Sequence, residues 1–227
     1  PATCPSSQTV AALDVPEAAL DYLELASGEV TTESIGKTPA LAGMHAKLLE
    51  AMERIIRMLI RDAVQQAAGS PCKLVFMPLH WGSDNFMSLD HFKTFYWPQL
   101  RRVMLGVIEA GLTPLVFWEG QCDSRLEVIA DVPRAKCIYW FERSDLFRAK
   151  AVLGDVTCLR GNVPASMLIA GSVQEVRDYC RKLIEVVGRG GGFMLDASTG
   201  IPEEANNENV FAMFQAAHDF GRYASAF

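Results

Sequence analysis

The chain has 227 residues, half of them hydrophobic and 21% charged, with 21 lysines and arginines against 27 aspartates and glutamates. That much apolar material fills the core of one large domain or two small ones and excludes intrinsic disorder. A net charge of −6 without any basic run argues against a nucleic-acid or membrane-surface protein, and apolar runs as short as 115–118 and 137–141 fall far short of a membrane span.

In chain order, residues 16–26 are rich in Ala, Leu and Glu and predict a helix, and 27–43 are polar with little periodicity. Residues 1–43 are therefore expected as an N-terminal helical or irregular segment, and 44–227 as the main domain. From Met44, apolar residues recur at helical spacing (Leu48, Met52, Ile55, Ile56, Leu59, Val64), with Glu50, Glu53, Arg54, Arg57, Arg61 and Asp62 opposite. Gly69-Ser70-Pro71 ends this helix. Strands are then predicted at 73–79, 113–118, 137–141, 156–160 and 193–195. Helices are predicted at 88–110 (capped by Ser88), 124–130, 145–153, 172–187 and 208–223. In the first of these, Phe92, Phe95, Tyr96 and Trp97 form a packed face, with Pro98 bending or starting its next segment. Gly188 and the glycines at 190–192 precede a strand, as a tight helix-to-strand turn does, and cradle no phosphate at a helix start.

Near-continuous apolar strands alternating with amphipathic helices mean parallel strands covered by helices. About thirty residues per unit suits a (β/α)8 barrel of the TIM type; a doubly wound sheet has the same alternation, but no GxGxxG or P-loop follows any strand. Such a barrel takes about 250 residues. Only five units are visible here, so either the barrel is incomplete or its N-terminal strands lie outside this sequence.

Every predicted strand ends in polar residues, where this fold gathers its catalytic groups. His80, Glu119 and Asp196 are the candidate catalytic residues; Trp81, Asp84, Glu142, Asn162 and Ser198 are candidates for substrate contacts. Glu119 follows four apolar residues and is drawn into the barrel mouth, where a carboxylate must be paired, protonated or metal-bound. His80, Glu119 and Cys122 together offer N, O and S ligands, a set acceptable to zinc with an open fourth position. Asp145 fits a helix cap better than a catalyst. The six cysteines form no CxxC pair, and Cys72, Cys137 and Cys158 flank apolar runs, so buried reduced thiols are expected. With no charged-then-apolar leader at the start, a cytoplasmic location is the expectation.

Three stretches resemble the uroporphyrinogen decarboxylase superfamily, which includes cobamide-dependent methyltransferases. They are 149–155; Gly161-Asn162-Val163-Pro164 with Leu168, Gly171 and 173–180; and 190–195 with Gly200-Ile201-Pro202 and Glu208-Asn209-Val210. The resemblance runs from Leu74 to Tyr223 and implies a β/α barrel, often dimeric, and an enzyme. It departs from the family in telling places. Family decarboxylases have a histidine where Thr199 stands, and an aspartate and arginines near the N-terminus that have no counterpart here. The thiol-methylating branch holds zinc with a His-x-Cys pair and a later Cys; Glu119 and Gln121 stand at the first two positions, Cys122 is one residue displaced, and the third falls near Thr199. The expectation is a methyltransferase acting on a small methylated substrate or a corrinoid-bound methyl group, with zinc and a corrinoid protein as cofactor and partner. The alternatives are a decarboxylase or lyase on a small carboxylated substrate, and a non-catalytic relative.

Overall fold

A computed structural model describes residues 39–222. A long helix, α1 (Pro39–Ala68), leads into β1 (Leu74–Leu79). Then come α2 (Leu89–His91), a π-helical turn at Phe92–Tyr96, α3 (Trp97–Glu109), β2 (Thr113–Trp118) and α4 (Leu126–Ile129). The remainder is β3 (Ile138–Phe141), α5 (Leu146–Leu153), β4 (Cys158–Val163), α6 (Ala165–Ala170), α7 (Val173–Val186), β5 (Phe193–Ala197) and α8 (Asn207–Phe220). The expected helix at 16–26 lies outside the described residues, and α1 runs without a break through positions 43 and 44.

All four strand pairings are parallel and the sheet order is β1-β2-β3-β4-β5, so each strand neighbours the next in sequence. This is the wall of a β/α barrel over five of its strands, with no further strand on the outer edge of β1 or β5 among the described residues. Strand residues point alternately to two faces. Trp118 faces the helices, packed against Phe92 and Trp97, and Tyr139 and Phe141 contact the same indole. Burial of such a side chain contributes about 1.5–3 kcal/mol relative to leaving it exposed. On the opposite, concave face, Phe117 meets Trp140 at 4.4 Å between ring centroids, and Phe76 lies 6.3 Å from Phe117.

Local chemistry sets the helix ends. Ser88 accepts the His91 N–H, Asp145 those of Phe147 and Arg148, and Ser172 with Glu175 forms a reciprocal capping box. Helix α1 is laced by Glu50–Arg54 and Glu53–Arg57, and Arg102 of α3 also reaches Glu53. The two helices approach closely at Gly106, where an added Cβ would stand 2.4 Å from Ile60 Cδ1. Gly190, Gly191 and Gly192 all have positive φ (79°, 89° and 70°), as a tight turn into β5 requires.

Several predicted boundaries shift. The helix at 88–110 is interrupted by the π turn, and α3 starts at Trp97 with Pro98 in its first turn, where a missing N–H costs nothing. Strand β4 begins two residues later than expected, because Val156 and Thr157 still donate to the Leu153 carbonyl and finish the α5 turn. It runs on to Val163, so Asn162 lies inside the strand. Strand β5 likewise extends past Leu195 and takes in Asp196. The six-residue α6 adds a helix between β4 and α7 that the sequence pattern does not predict. Cys137 and Cys180 are buried thiols as expected, Cys122, the candidate metal ligand, is buried too, Cys158 is half-buried, and Cys72 is exposed, contrary to expectation; Cys4 lies outside the described residues.

Candidate active site

The C-terminal ends of β1 and β2 bring His80 and Glu119 together. Their side chains meet through Nδ1 and Oε2 at 2.5 Å. With the carboxylate accepting, Nδ1 carries the proton, and Nε2 has no partner among the described residues. The histidine side chain is 42% exposed and the glutamate 28%, so the pair stands at the surface of the mouth.

Loops on both sides hold this pair. After Glu119 the chain turns through Gly120, whose φ is +71° and where a Cβ would stand 3.1 Å from that of Ser83. The Gly120 N–H donates to Glu142 Oε2 at 2.6 Å and its carbonyl accepts from Arg143 N; Cys122 N–H donates to Ser144 Oγ at 2.8 Å. From the other side, Asp84 N–H donates to the Gln121 carbonyl at 2.7 Å. Arg125 is buried below and donates to the carbonyls of Gly82, Ser83 and Met87, with its guanidinium 5.0 Å over the Phe92 ring.

The other candidates divide. Asp84 accepts from Ser124 N and Oγ and pairs with Arg125, so its oxygens fasten the β1 loop rather than face a ligand. Asp196 does not join His80 and Glu119: on the concave face it pairs with Arg160 (2.7 Å from Nε, 2.5 Å from Nη2) and accepts the Ala197 N–H. Arg160 in turn stacks 4.1 Å over the Trp140 ring. Trp81 is exposed and packs on Phe86, their ring centroids 4.5 Å apart. Asn162 donates to the Ser144 carbonyl and accepts from the Tyr179 hydroxyl at 3.4 Å. Ser198 donates its N–H to the Val163 carbonyl, and its hydroxyl accepts from Ala165 N. Glu142, Asn162 and Ser198 line a cleft of about 720 Å³ at the ends of β2–β5, with Asp123, Arg143, Ser144 and Asp145.

Cys122 does not complete a zinc set. Its thiol is buried, sits 3.7 Å from the Glu119 carbonyl oxygen, and is pushed up to about 12, by burial first and the nearby Asp84 charge next. Among the described residues no group of three or more His, Cys, Asp or Glu side chains is placed to hold a metal ion. Sequence reasoning missed Arg125, Ser144 and Tyr179. Arg125 had no signal, since an arginine in a short polar stretch reads as surface; Ser144 stands between the charged Arg143 and Asp145 just past β3.

The sequence model of the family described as uroporphyrinogen decarboxylase (URO-D) matches residues 39–220. The chain belongs to this family. Relatives include the uroporphyrinogen decarboxylases of Methylococcus capsulatus (30% identical over 185 residues, 80% of this chain and 49% of the relative) and Chromohalobacter salexigens (26% over 181 residues, 78% and 49%). The chain thus spans about half the length of these URO-D relatives. A solved structure of a methyltransferase from Methanosarcina mazei superposes with a TM-score of 0.62 at 20% identity, covering 88% of this chain and 57% of that one. That likeness shows the fold. No helix among the described residues is long and apolar enough to cross a membrane. Members of the URO-D family are enzymes.

Proposed function

We propose that this URO-D-family protein transfers a methyl group from a small methylated substrate, with His80 and Glu119 as its acid–base pair. The observation that carries the reading is the balance of charge at the mouth. Asp123, Glu142 and Asp145 line the cleft with a single arginine, Arg143, which pairs with Glu142; Glu119, outside that lining, pairs with His80, and Arg125 and Arg160 are committed to Asp84 and Asp196. A substrate bearing several carboxylates meets an unfavourable field there, whereas a neutral or cationic methylated compound does not.

His80 Nε2 is the working atom. When a methyl group leaves an oxygen, the protonated imidazole returns a proton to it; when the acceptor is a thiol, the neutral ring removes one. Glu119 holds Nδ1 and fixes the ring. A corrinoid on a partner protein would serve as methyl carrier, and no described residue is assigned to it. Decarboxylation is the second reading, favoured by the names of the curated relatives.

The purified protein is incubated with cob(I)alamin and a panel of O-, N- and S-methyl compounds, and methylcobalamin is followed by absorbance. In parallel, carbon dioxide release from uroporphyrinogen and small polycarboxylates is measured. Methylcobalamin formation without carbon dioxide is the expected result. Carbon dioxide release alone transfers the assignment to a decarboxylase, and neither product points to a non-catalytic relative.

A further inference from the structure

We infer that Glu142 is a positioning residue for the His80–Glu119 pair rather than a substrate contact; this rests on the acid–base role proposed above. The three residues after Glu119, Gly120 to Cys122, are held between two loops by four contacts. Three of the contacts come from the β3 loop: Glu142 Oε2 on Gly120 N–H, Arg143 N–H on the Gly120 carbonyl, and Ser144 Oγ on Cys122 N–H. The fourth is Asp84 N–H on the Gln121 carbonyl.

Of these, the Glu142 contact is the one nearest the reactive carboxylate and the one made by a charged acceptor, which gives a short, strong bond at 2.6 Å. Gly120 follows Glu119 directly and adopts the left-handed conformation, so its N–H fixes the peptide plane that Glu119 shares. The second carboxylate oxygen of Glu142 lies 3.3 Å from Arg143 Nε, and its side chain is 19% exposed. Both oxygens are thus engaged by the protein. The cleft borders Glu142, but the carboxylate is turned to the backbone of the neighbouring strand end.

The test compares Glu142→Ala, which removes the acceptor, with Glu142→Gln, whose amide oxygen still accepts the Gly120 N–H. The reporter is the Nδ1–H resonance of His80 in nitrogen-15 spectra, read without substrate and assigned by its loss in His80→Ala. In Glu142→Ala the resonance is lost or broadened and the transfer rate falls about 10- to 100-fold, the scale expected when a reacting group is misplaced. Glu142→Gln restores the resonance and most of the rate. Thermal unfolding shows that both variants are folded. An unchanged resonance in Glu142→Ala overturns the inference, whether the variant loses only stability or shows a raised KM in common with Glu142→Gln. Because the resonance needs no turnover, a failure of the methyl-transfer reading remains separate from a failure of this one.

Discussion

Two acid–base pairs sit on the same side of the sheet and differ in how completely they are enclosed. Arg160–Asp196 lies within β4 and β5, and each partner has a second contact: the Trp140 ring for the guanidinium, the Ala197 N–H for the carboxylate. His80–Glu119 lies just past the ends of β1 and β2, and its imidazole keeps one nitrogen free of protein partners among the described residues. A pair with every group engaged ties strands together. A pair with one group open can exchange a proton with something that arrives. Position relative to the strand end decides which role an ion pair takes in this fold, because the strand body is walled by its neighbours and the tip is not.

That contrast can be broken most sharply by removing the open pair. Glu119→Ala or His80→Ala is expected to lower the methyl-transfer rate about 10²- to 10⁴-fold, as loss of a general acid–base does, with little change in urea unfolding. A variant that keeps full activity would falsify the assignment. Arg160→Ala tests the closed pair. It strands a half-buried Asp196 carboxylate and should destabilise the fold by about 1–3 kcal/mol in urea unfolding, leaving the His80 Nδ1–H resonance in place. Loss of that resonance would mean that the two pairs are coupled.

A third ion pair, on the outer surface, supplies the smallest effect. Asp219 at the end of α8 is held down to about 2 by its hydrogen bond with Arg177 of α7, with Gln215 and His218 adding to it. A carboxyl whose folded value is lowered adds stability above its unfolded value near 4, and loses it as the pH falls toward 2. Asp219→Asn should therefore flatten the acid limb of the stability profile between about pH 4 and 2 and leave neutral-pH activity unchanged. A Tm-versus-pH series checks this.

The order of strands and helices was legible because buried parallel strands and amphipathic helices have distinct periods. Val156 and Thr157 misled because β-branched residues favour strands, whereas their N–H groups close the α5 turn. Asn162 and Asp196 read as strand ends because polar residues usually are; here Ser144, Tyr179 and Arg160 satisfy them inside the sheet. The His80–Glu119 contact is long-range, but both residues follow apolar strands, so register alone predicts their proximity: Leu79 pairs with Trp118. The burial of Cys122 was not legible, because one-dimensional spacing carries no information on it. Arg125 was invisible for the same reason.

The strand order has a consequence for how the protein forms. Leu74 pairs with Thr113, Leu115 with Ile138, Ile138 with Cys158 and Leu159 with Phe193. Each pairing closes a loop of roughly 20–40 residues, so the closure entropy is modest and nearly equal at every step. Contact order stays low for a parallel sheet, and the wall can assemble in the direction of synthesis, one unit docking on the last. A sheet built this way can gain or lose a unit at either edge without unpicking the pairs already made.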